Sequence, residues 1–582
     1  MKTETKAELA SHLPPWLRQD WLGGLLLVLA VVLTYTPLWH AGFIWDDNAN
    51  IGSNLCIVGP LGLKEIWTTE YGQFFPLVLT TFWVEHALWG LRPLPYHLVN
   101  VFLHAACAVL LWRILRRLQI PGAWLGAALW ALHPLQVESV AWISEMKNTQ
   151  SCLFYLLTIL FFIKYLQTEE PGQPSGNNRH YVFMLVFAGL ALASKTSTVI
   201  LPVVLCLCAW WMEGRWRWLN LIRTAPLFLM SAVAAALSLW SYRAGLTKVT
   251  DPIGMQTWPQ RVATAGDVIW FYLGKLLWPY PLMTIYPRWE IDAGQAASYL
   301  PLLAVIAILF LLWLKRESDW ARPWFFAMAY FVTGLFLFLG LIDQAFWRCS
   351  FVEDHLQYLA SMGPLALAGA GLVTLARKSI PEEPWGPYCL GGGVLLALGL
   401  LSWQRVWVYQ NDEALWGDTL QKNSRCWMAY NNLGSLLALK GEQDEAMDLY
   451  RKALEFNPEY AQAHNNLGLA LLHKDQVDEA VAEFQKTLEI NPDFTEAHDE
   501  LGVVRLGQGE VEEAISEFQK ALKIDPYNPK AHVNLGMALL QKGQVKEAIA
   551  HFQEALRVKP GLTVAKNDLA KAEAIAQQKA NP

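Results

Sequence analysis

Two adjacent carboxylates, Asp46 and Asp47, follow the first long apolar segment of the sequence. An ionised pair this close to lipid is costly unless it is paired or used, and neighbouring like charges raise one of the two pKa values. A raised carboxyl pKa suits a general base, which takes a proton from a reacting hydroxyl group. The alternative is a solvated acid pair on a surface loop, and the pair by itself leaves both interpretations open.

Other polar groups occupy loops that are predicted on the same side. They are His133, Glu138, Lys195, Arg288, Arg348 and His355. The cations among them could hold a phosphate through charge-assisted hydrogen bonds while an acid activates a hydroxyl. Each cation taken singly is also explained as an interface anchor or as a side chain that extends along lipid. The sequence carries no Walker loop, G-x-S-x-G elbow or zinc motif.

These groups need a membrane scaffold, because the 582 residues are 54% hydrophobic and only 16% charged. A helix of roughly 20 apolar residues crosses a bilayer. We predict eleven spans, at 21–39, 96–115, 122–132, 152–166, 181–193, 198–212, 225–242, 299–314, 324–342, 359–376 and 389–403. The net charge of −6 and the lack of a long Lys/Arg run argue against a nucleic-acid partner.

Four basic clusters predict the orientation of these spans. Short loops rich in Lys and Arg stay in the cytoplasm, and with eleven spans all four clusters fall on the side of the N-terminus. The cluster residues are Arg113, Arg116, Arg117, Arg215, Arg217, Arg223, Lys315, Arg316, Arg322, Arg377 and Lys378. We therefore expect a multi-pass protein of the inner (plasma) membrane with a cytoplasmic N-terminus and a periplasmic C-terminus. An even number of spans would reverse the second assignment.

The C-terminal region repeats every 34 residues, which is the tetratricopeptide period. Gly434, Gly468, Gly502 and Gly536 keep this spacing, and so do Ala446, Ala480, Ala514 and Ala548 and the prolines Pro458, Pro492, Pro526 and Pro560. Small residues let the two helices of a repeat approach closely, while proline ends the second helix. Four repeats with a capping helix are enough to bury a continuous core.

The polar blocks and the repeats together resemble one known family. Asp46 and Asp47, the blocks at 96–104 and 131–142, and the C-terminal solenoid resemble the transmembrane and tetratricopeptide-repeat-containing O-mannosyltransferases. The blocks at 270–275, 285–288 and 350–360 resemble bacterial relatives of that family. The resemblance implies a GT-C glycosyltransferase fold, a polyprenyl-phosphate sugar as donor, and mannose as the sugar.

The resemblance also implies roles for particular residues. Asp46 and Asp47 match the diacidic motif, so one is the expected base and the other its orienting partner. His133 and Glu138 fall in a second signature block, with a supporting role. Binding of the donor phosphate by Arg348, His355, Arg288 and Lys195 is instead our physical inference. A monophosphate leaving group needs no cofactor or bound metal, although a divalent cation could assist.

Three asparagines are candidates for holding the acceptor. Asn432, Asn466 and Asn534 precede the Leu-Gly of their repeats and could bind the backbone of an extended peptide, but Glu500 interrupts the row. The alternative is that these amides support helix packing.

The sequence thus predicts an all-α protein in which a polytopic GT-C-like domain precedes a solenoid. The predicted parts are a cytoplasmic segment at 1–20, the membrane domain at 21–404, a linker and half-repeat at 405–424, four repeats at 425–560, and a cap and tail at 561–582. The expected function is transfer of a sugar to hydroxyl groups of a protein acceptor recruited by the repeats. The main alternative is a non-catalytic membrane-anchored scaffold for an envelope or secretion complex. A transporter would place ionisable groups within internally repeated half-helices, and no such repeat is present.

Overall fold

A computed structural model describes residues 20–69, 75–168, 178–246, 256–342, 347, 349–379 and 386–580. Over these ranges the chain forms helices and turns and no β-strand, which confirms the all-α class. The chain divides into two compact units. The first comprises Met1–Asn50, Gly72–Leu239 and Met255–Leu415, and the second comprises Ile51–Tyr71, Trp240–Gly254 and Trp416–Pro582. The domain boundaries assigned from the sequence stay predictions.

Fifteen α-helices precede residue 412 in the described part of the chain. They are α1 (Asp20–Thr34), α2 (Leu63–Thr68), α3 (Pro76–Trp89), α4 (Pro93–Arg117), α5 (Ala123–Ala131), α6 (Val137–Ala141), α7 (Met146–Gln167), α8 (Asn178–Ser194), α9 (Leu201–Glu213), α10 (Trp218–Leu246), α11 (Trp258–Leu277), α12 (Leu300–Leu314), α13 (Ala321–Leu335), α14 (Met362–Ser379) and α15 (Gly386–Val406).

Every predicted span coincides with a helix, and seven helical segments are long and apolar enough to cross a membrane. These are Pro93–Arg117, Ile143–Gln167, Thr196–Glu213, Trp218–Trp240, Ala296–Leu314, Ala321–Phe338 and Cys389–Tyr409. The protein is therefore a membrane protein. One predicted span, 122–132, corresponds only to α5, whose nine residues reach about 14 Å and cannot cross a bilayer alone.

The short helix α5 completes its crossing with a buried irregular segment. Helices α4 and α7 run in the same direction, since Cys107 of α4 contacts Thr149 of α7 near one end and Arg117 Nη1 donates to Gln167 Oε1 at 2.7 Å at the other. The chain between them must therefore return through the bundle. Irregular backbone at membrane depth is tolerated where protein surrounds it, and residues 132–145 are all buried.

Close packing against α14 holds α5 in place. A Cβ added to Gly369 would lie 2.6 Å from the backbone nitrogen of Gly126, and one added to Gly122 would lie 2.7 Å from the carbonyl oxygen of Gly369. Small residues of this kind let membrane helices approach at the backbone. The contact fixes where α5 ends and hence where residues 132–145 begin.

The first unit has two chemically different ends. At the basic end, which carries Arg113, Arg116, Arg117 and Lys164, Arg116 pairs with Asp20 at 2.5 Å where α1 begins. Helix α1 runs from this end to the acidic end, which carries Asp46 and Asp47. The chain also leaves the unit at the acidic end, because the N–H of Gly42 donates to the carbonyl oxygen of Gln410 at 2.9 Å.

The repeats follow as a regular series of helix pairs. After α16 (Asp412–Lys422), the pairs are α17 (Trp427–Lys440) with α18 (Gln443–Phe456), α19 (Ala461–His473) with α20 (Val477–Ile490), α21 (Thr495–Gly507) with α22 (Val511–Ile524), and α23 (Pro529–Gln541) with α24 (Val545–Val558); α25 (Thr563–Ala580) caps them. The predicted tetratricopeptide repeats are confirmed.

Each of the four glycines that recur every 34 residues lies against an aromatic ring sixteen positions later in the sequence. Gly434 packs on Tyr450, and the other three pack on Phe484, Phe518 and Phe552. A Cβ at any of the four would come within 2.5–2.8 Å of the ring. The glycines are thus required by close approach of the two helices, as the sequence predicted.

Candidate active site

The loop after α1 has an unusual backbone at Trp45. Its φ of +46° lies in the left-handed region, where a bulky side chain is strained. The Trp45 ring stacks on Trp142 with centroids 4.8 Å apart, and the Trp45 N–H donates to Asp412 Oδ1 at 2.7 Å. Such strain persists only where the surroundings hold it, and it is concentrated at functional sites. The turn places Asp46 and Asp47 in different environments.

Asp47 is a fully buried acceptor of three hydrogen bonds. Its Oδ1 accepts from the N–H and the hydroxyl of Ser144 at 2.7 and 2.6 Å, and its Oδ2 accepts from the N–H of Ile44 at 3.0 Å. Burial raises the pKa of Asp47 to about 7, and the hydrogen bonds oppose that rise. Both carboxylate oxygens are occupied by protein donors, so Asp47 ties the loop to the segment before α7.

One carboxylate oxygen of Asp46 receives no hydrogen bond from the described residues. This oxygen is Oδ1, and it is buried. Burial raises the pKa of Asp46, and Glu145 adds to the rise. The positive charge of Lys147 and the side-chain donors of Ser144 and Trp142 lower this pKa. An unoccupied carboxylate oxygen with a raised pKa is what a general base for a substrate hydroxyl requires.

A buried ion pair lies beside Asp46. Lys147 Nζ is 2.6 Å from Glu145 Oε1, and the glutamate side chain is only 1% exposed. Asn148 donates to Glu145 Oε2 at 2.6 Å and accepts from Lys195 Nζ at 2.5 Å. Lys195 Nζ is also 4.0 Å from Glu145 Oε2. Two lysines thus share the carboxylate of Glu145, and Asp46 and Glu353 add negative charge around them.

His355 lies between three carboxyl groups. Its Nδ1 is 3.6 Å from Glu138 Oε2, and its Nε2 is 3.3 Å from Glu353 Oε2 and 3.8 Å from Glu145 Oε2. The His355 N–H donates to Glu138 Oε2 at 3.1 Å. Burial lowers the pKa of His355, while Glu145 and Glu353 raise it. Together these side chains form the acid–base cluster, defined as Asp46, Glu138, Glu145, Lys147, Lys195, Glu353 and His355.

Burial brings two groups of the cluster close to neutral titration. Desolvation raises the pKa of Glu353 to about 7, and it lowers the pKa of Lys195 to about 8. The nearby Glu145 opposes the shift of Lys195. Groups that titrate near pH 7 are suited to proton transfer and are enriched at functional sites.

Not all the residues selected from the sequence join the cluster. His133 Nδ1 instead accepts from the N–H of Leu135 at 3.3 Å, and its Nε2 lies 3.2 Å from the carbonyl oxygen of Leu276. Arg288 lies over the ring of Phe351, with its guanidinium carbon 5.2 Å from the ring centroid. Arg348 lies outside the described residues. The roles proposed for these residues stay predictions.

Sequence reasoning did not select Glu145, Lys147, Asn148 or Glu353 as site residues. The first three lie at the beginning of a membrane span, where ionisable groups are costly and rare. That cost is a usable signal, since two ionisable groups and an amide within four positions of an apolar helix are unlike a simple interface anchor. Glu353 lies in the block at 350–360, and its contact with His355 identifies it as a member of the cluster.

The repeat asparagines are engaged by the solenoid itself. Asn466 donates to Asn431 Oδ1 at 2.9 Å and to Ser435 Oγ at 3.2 Å, and Asn534 donates to Asp499 Oδ1 at 2.9 Å. The side-chain carbonyl of Asn432 accepts from Asn431 at 3.2 Å. The links from Asn466 and Asn534 join consecutive repeats, so these two amides support packing whatever else they bind. A role in holding an acceptor stays a prediction.

The fold and the site define a class of protein. A helical membrane unit with a buried acid–base cluster at one end leads into a tetratricopeptide solenoid. Within the residues described here, no group of three or more His, Cys, Asp or Glu side chains is arranged around a metal position. The expectation that the reaction needs no bound metal rests on the chemistry of the leaving group and stays a prediction.

Comparison with known proteins identifies the class more closely. Residues 76–242 match the family model of dolichyl-phosphate-mannose-protein mannosyltransferases, and residues 434–475, 461–494 and 505–567 match tetratricopeptide-repeat models. The chain is 21% identical to the protein O-mannosyl-transferase TMTC3 of Mus musculus, over 75% of this chain and 51% of that protein. It is likewise 21% identical to Tmtc3 of Drosophila melanogaster, over 78% of this chain and 57% of the relative.

A shorter stretch is more similar to a third relative. Tmtc1 of Drosophila melanogaster is 30% identical over 31% of this chain and 21% of its own length. The chain is thus homologous to the transmembrane and tetratricopeptide-repeat-containing O-mannosyltransferases over most of its length, which supports a glycosyltransferase of the mannosyltransferase type. It spans only about a fifth to just over half of the length of these relatives. Among solved structures, MamA is 24% identical over 27% of this chain and 88% of its own, with a TM-score of 0.23.

Proposed function

We propose that this protein is an integral membrane glycosyltransferase that moves a mannosyl group from a polyprenyl-phosphate donor to a hydroxyl group of a protein acceptor. The observation that carries the proposal is the free, buried Oδ1 of Asp46 beside the Glu145–Lys147 ion pair. An acid next to two lysines supplies the two functions that this transfer needs, which are deprotonation of the hydroxyl and electrostatic stabilisation of the departing phosphate.

Asp46 acts as the base in a direct displacement. The proton of a Ser or Thr hydroxyl passes to Asp46 Oδ1 while the hydroxyl oxygen bonds to the anomeric carbon. The bond from that carbon to the phosphate oxygen breaks, and its electron pair leaves with the lipid phosphate. Asp47 positions the loop, since its own oxygens are occupied by Ser144 and Ile44.

Lys195 and Lys147 are the best-placed cations for the leaving phosphate. Both lie beside Glu145, and the Nζ of Lys195 has a single hydrogen bond, to Asn148, among those the structure describes. His355 adds a hydrogen-bond donor from the other side of Glu145. Arg288 and Arg348 belong to the same proposed phosphate site on the grounds of charge and loop position alone. Glu138 orients His355 through its contacts with the ring and the backbone N–H.

The chemical difference between the two ends of the first unit supports a proposed orientation in the membrane. The basic clusters favour a cytoplasmic location for the basic end, so the acidic end faces the periplasm of an inner membrane. The chain leaves the first unit at the acidic end, where Trp45 binds Asp412. In this orientation the solenoid is also periplasmic, and it binds an extended peptide acceptor for the transfer reaction.

The test is transfer from radiolabelled polyprenyl-phosphate mannose to envelope proteins by the purified chain in lipid vesicles. The wild type should transfer label and Asp46→Asn should not. Glu85→Gln is the matched control, because Glu85 is another buried carboxyl without a hydrogen bond from the described residues, and burial alone raises its pKa to about 8. Full activity of the Asp46 variant would reject the assignment and favour the scaffold.

A further inference from the structure

A second binding site is built into the basic end of the first unit, away from the acid–base cluster. An apolar cavity of about 520 Å³ lies between α4, α7, α9, α13 and α14. Its walls include Ile114, Ile159, Phe326 and Ala366. This volume lies within the range of about 300–1,000 Å³ that is usual for small-molecule sites. The proposed transfer reaction uses none of these residues.

A polar cavity adjoins the apolar one. It measures about 390 Å³, shares Leu118 and Trp211 with the apolar cavity, and is lined by Arg117 and Arg322 as well. A third cavity of about 350 Å³ shares Arg117 and adds three more cations. Those cations are Arg113, Arg116 and Lys164, and the single carboxylate in the third cavity, Asp20, is already paired with Arg116. The lining of the apolar cavity also includes Asp319 and Lys378, so the three cavities together carry more cations than carboxylates.

Arg322 shows that this charge is not balanced within the described protein. Its Nη2 donates to the carbonyl oxygen of Trp211, and its guanidinium lies 5.1 Å from the Trp211 ring centroid. Its Nε is buried and has no hydrogen-bond acceptor, and Arg322 makes no ion pair with the described carboxylates. A buried guanidinium N–H without an acceptor is costly unless something else supplies one.

We propose that these cavities bind one anionic glycerophospholipid of the leaflet at the basic end. An acyl chain fills the apolar cavity, and the phosphate accepts hydrogen bonds from Arg322 and Arg117, which suit phosphate through their planar donors. A bilayer supplies such a ligand at this depth, and basic pockets between membrane helices recognise anionic headgroups. Trp211 lies at the boundary of the two cavities, where an indole is favoured.

The test measures lipids that remain on the purified full-length chain. The protein is equilibrated in vesicles that contain both phosphatidylcholine and phosphatidylglycerol and is then extracted in mild detergent. Native mass spectrometry identifies the lipids that remain bound. The wild type should retain one phosphatidylglycerol with at least about fivefold preference over phosphatidylcholine. Arg322→Gln and the exposed Arg117→Gln should each lower that preference. Arg316→Gln removes the same charge near this end but lies on Trp313, outside the cavities, and should retain it.

A second pair of variants tests the apolar part independently. A Cβ on Gly371 meets no atom within 4 Å, and Gly371 lines the apolar cavity, so Gly371→Phe should fill the cavity and reduce the retained lipid of either type. Gly393→Phe adds the same side chain at an equally open position of α15 away from the cavity, and it should change nothing. Equal retention of both lipids by the wild type would overturn the proposal. So would equal losses in the control variants, or displacement of phosphatidylglycerol by an equal amount of polyprenyl phosphate.

Discussion

The membrane unit and the solenoid use polar side chains in opposite ways. In the membrane unit the polar groups are buried together, at positions with no common spacing, and their pKa values are displaced by burial. In the solenoid they recur every 34 residues, and most of their ion pairs are at the surface. Exposed pairs contribute little to stability, whereas unsatisfied buried groups are costly. The cost of the buried cluster is the physical reason to assign chemistry to it.

Inside the membrane unit, the sharpest contrast is between the two aspartates. Asp46→Asn should lower transfer at least about 100-fold, since a general base contributes that much, without reducing the amount of folded protein. Asp47→Asn should lower transfer and also cost about 2–4 kcal/mol of stability, because charge-assisted hydrogen bonds to Ser144 and Ile44 are weakened. Initial rates and pulse proteolysis in urea would separate the two effects. Equal loss of stability in both variants would contradict the division of roles.

In the solenoid the largest expected effect comes from one methyl group. Gly502→Ala would place a Cβ 2.5 Å from the Phe518 ring, and we expect a cost of about 1–3 kcal/mol from overpacking. Gly507→Ala, in the same helix and facing open space, should stabilise by about 0.4–1 kcal/mol. Hydrogen exchange of α21 and α22 in the full chain would report both changes. Transfer to a small soluble acceptor peptide should be the same in both variants, which distinguishes stability from chemistry.

The acid–base cluster should also determine how activity depends on pH. The pKa of Lys195 is lowered to about 8 by burial, so the lysine loses its charge above that pH and phosphate departure slows about tenfold per pH unit. Lys195→Arg keeps the charge and should move this alkaline limb upward. Initial rates between pH 6 and 10 would test the assignment. An unchanged limb in the arginine variant would remove Lys195 from the phosphate site.

The smallest expected effect is a loss of stability at acidic pH in the repeat formed by α23 and α24. His464 and His498 face Glu483 and Glu517 at 2.6 Å, but at the equivalent place His532 faces His551, with Nδ1 atoms 3.0 Å apart. Burial and His532 lower the pKa of His551. A lowered histidine pKa gives stability that is present above the unfolded pKa, near 6.5, and lost as the pH falls.

The expected loss between pH 7 and pH 5 is below about 1 kcal/mol, as for other partly exposed pairs. His551→Glu restores the pairing of the other repeats and should abolish or reverse the loss. Thermolysin digestion of a C-terminally tagged chain at the two pH values would measure it, with His464→Gln as a variant that leaves the His532–His551 pair intact. An identical acid response in wild type and His551→Glu would contradict the pairing argument.

Periodicity explains how much of the fold could be predicted. The glycines and prolines of the repeats have a fixed 34-residue spacing, so their helices and their close contacts followed from the chain alone. The spans followed from hydropathy. Asp46, Lys195 and His355 were selected from charge and position near lipid, and Glu138 from the family resemblance. The contacts of Glu353 and the choice between Asp46 and Asp47 as the proposed base could not be predicted, because both depend on which atoms meet between residues far apart in the sequence.

By itself, the sequence determined the class of structure, the repeats and the segments that hold the polar residues, since these depend on local composition and spacing. Only the tertiary structure decided that both carboxylate oxygens of Asp47 accept hydrogen bonds while Oδ1 of Asp46 accepts none from the described residues, that α5 is too short to cross alone, and that His133 lies outside the cluster. The physical reason is that hydrogen-bond occupancy, burial and helix direction are properties of neighbours brought together by folding, and no local pattern encodes them.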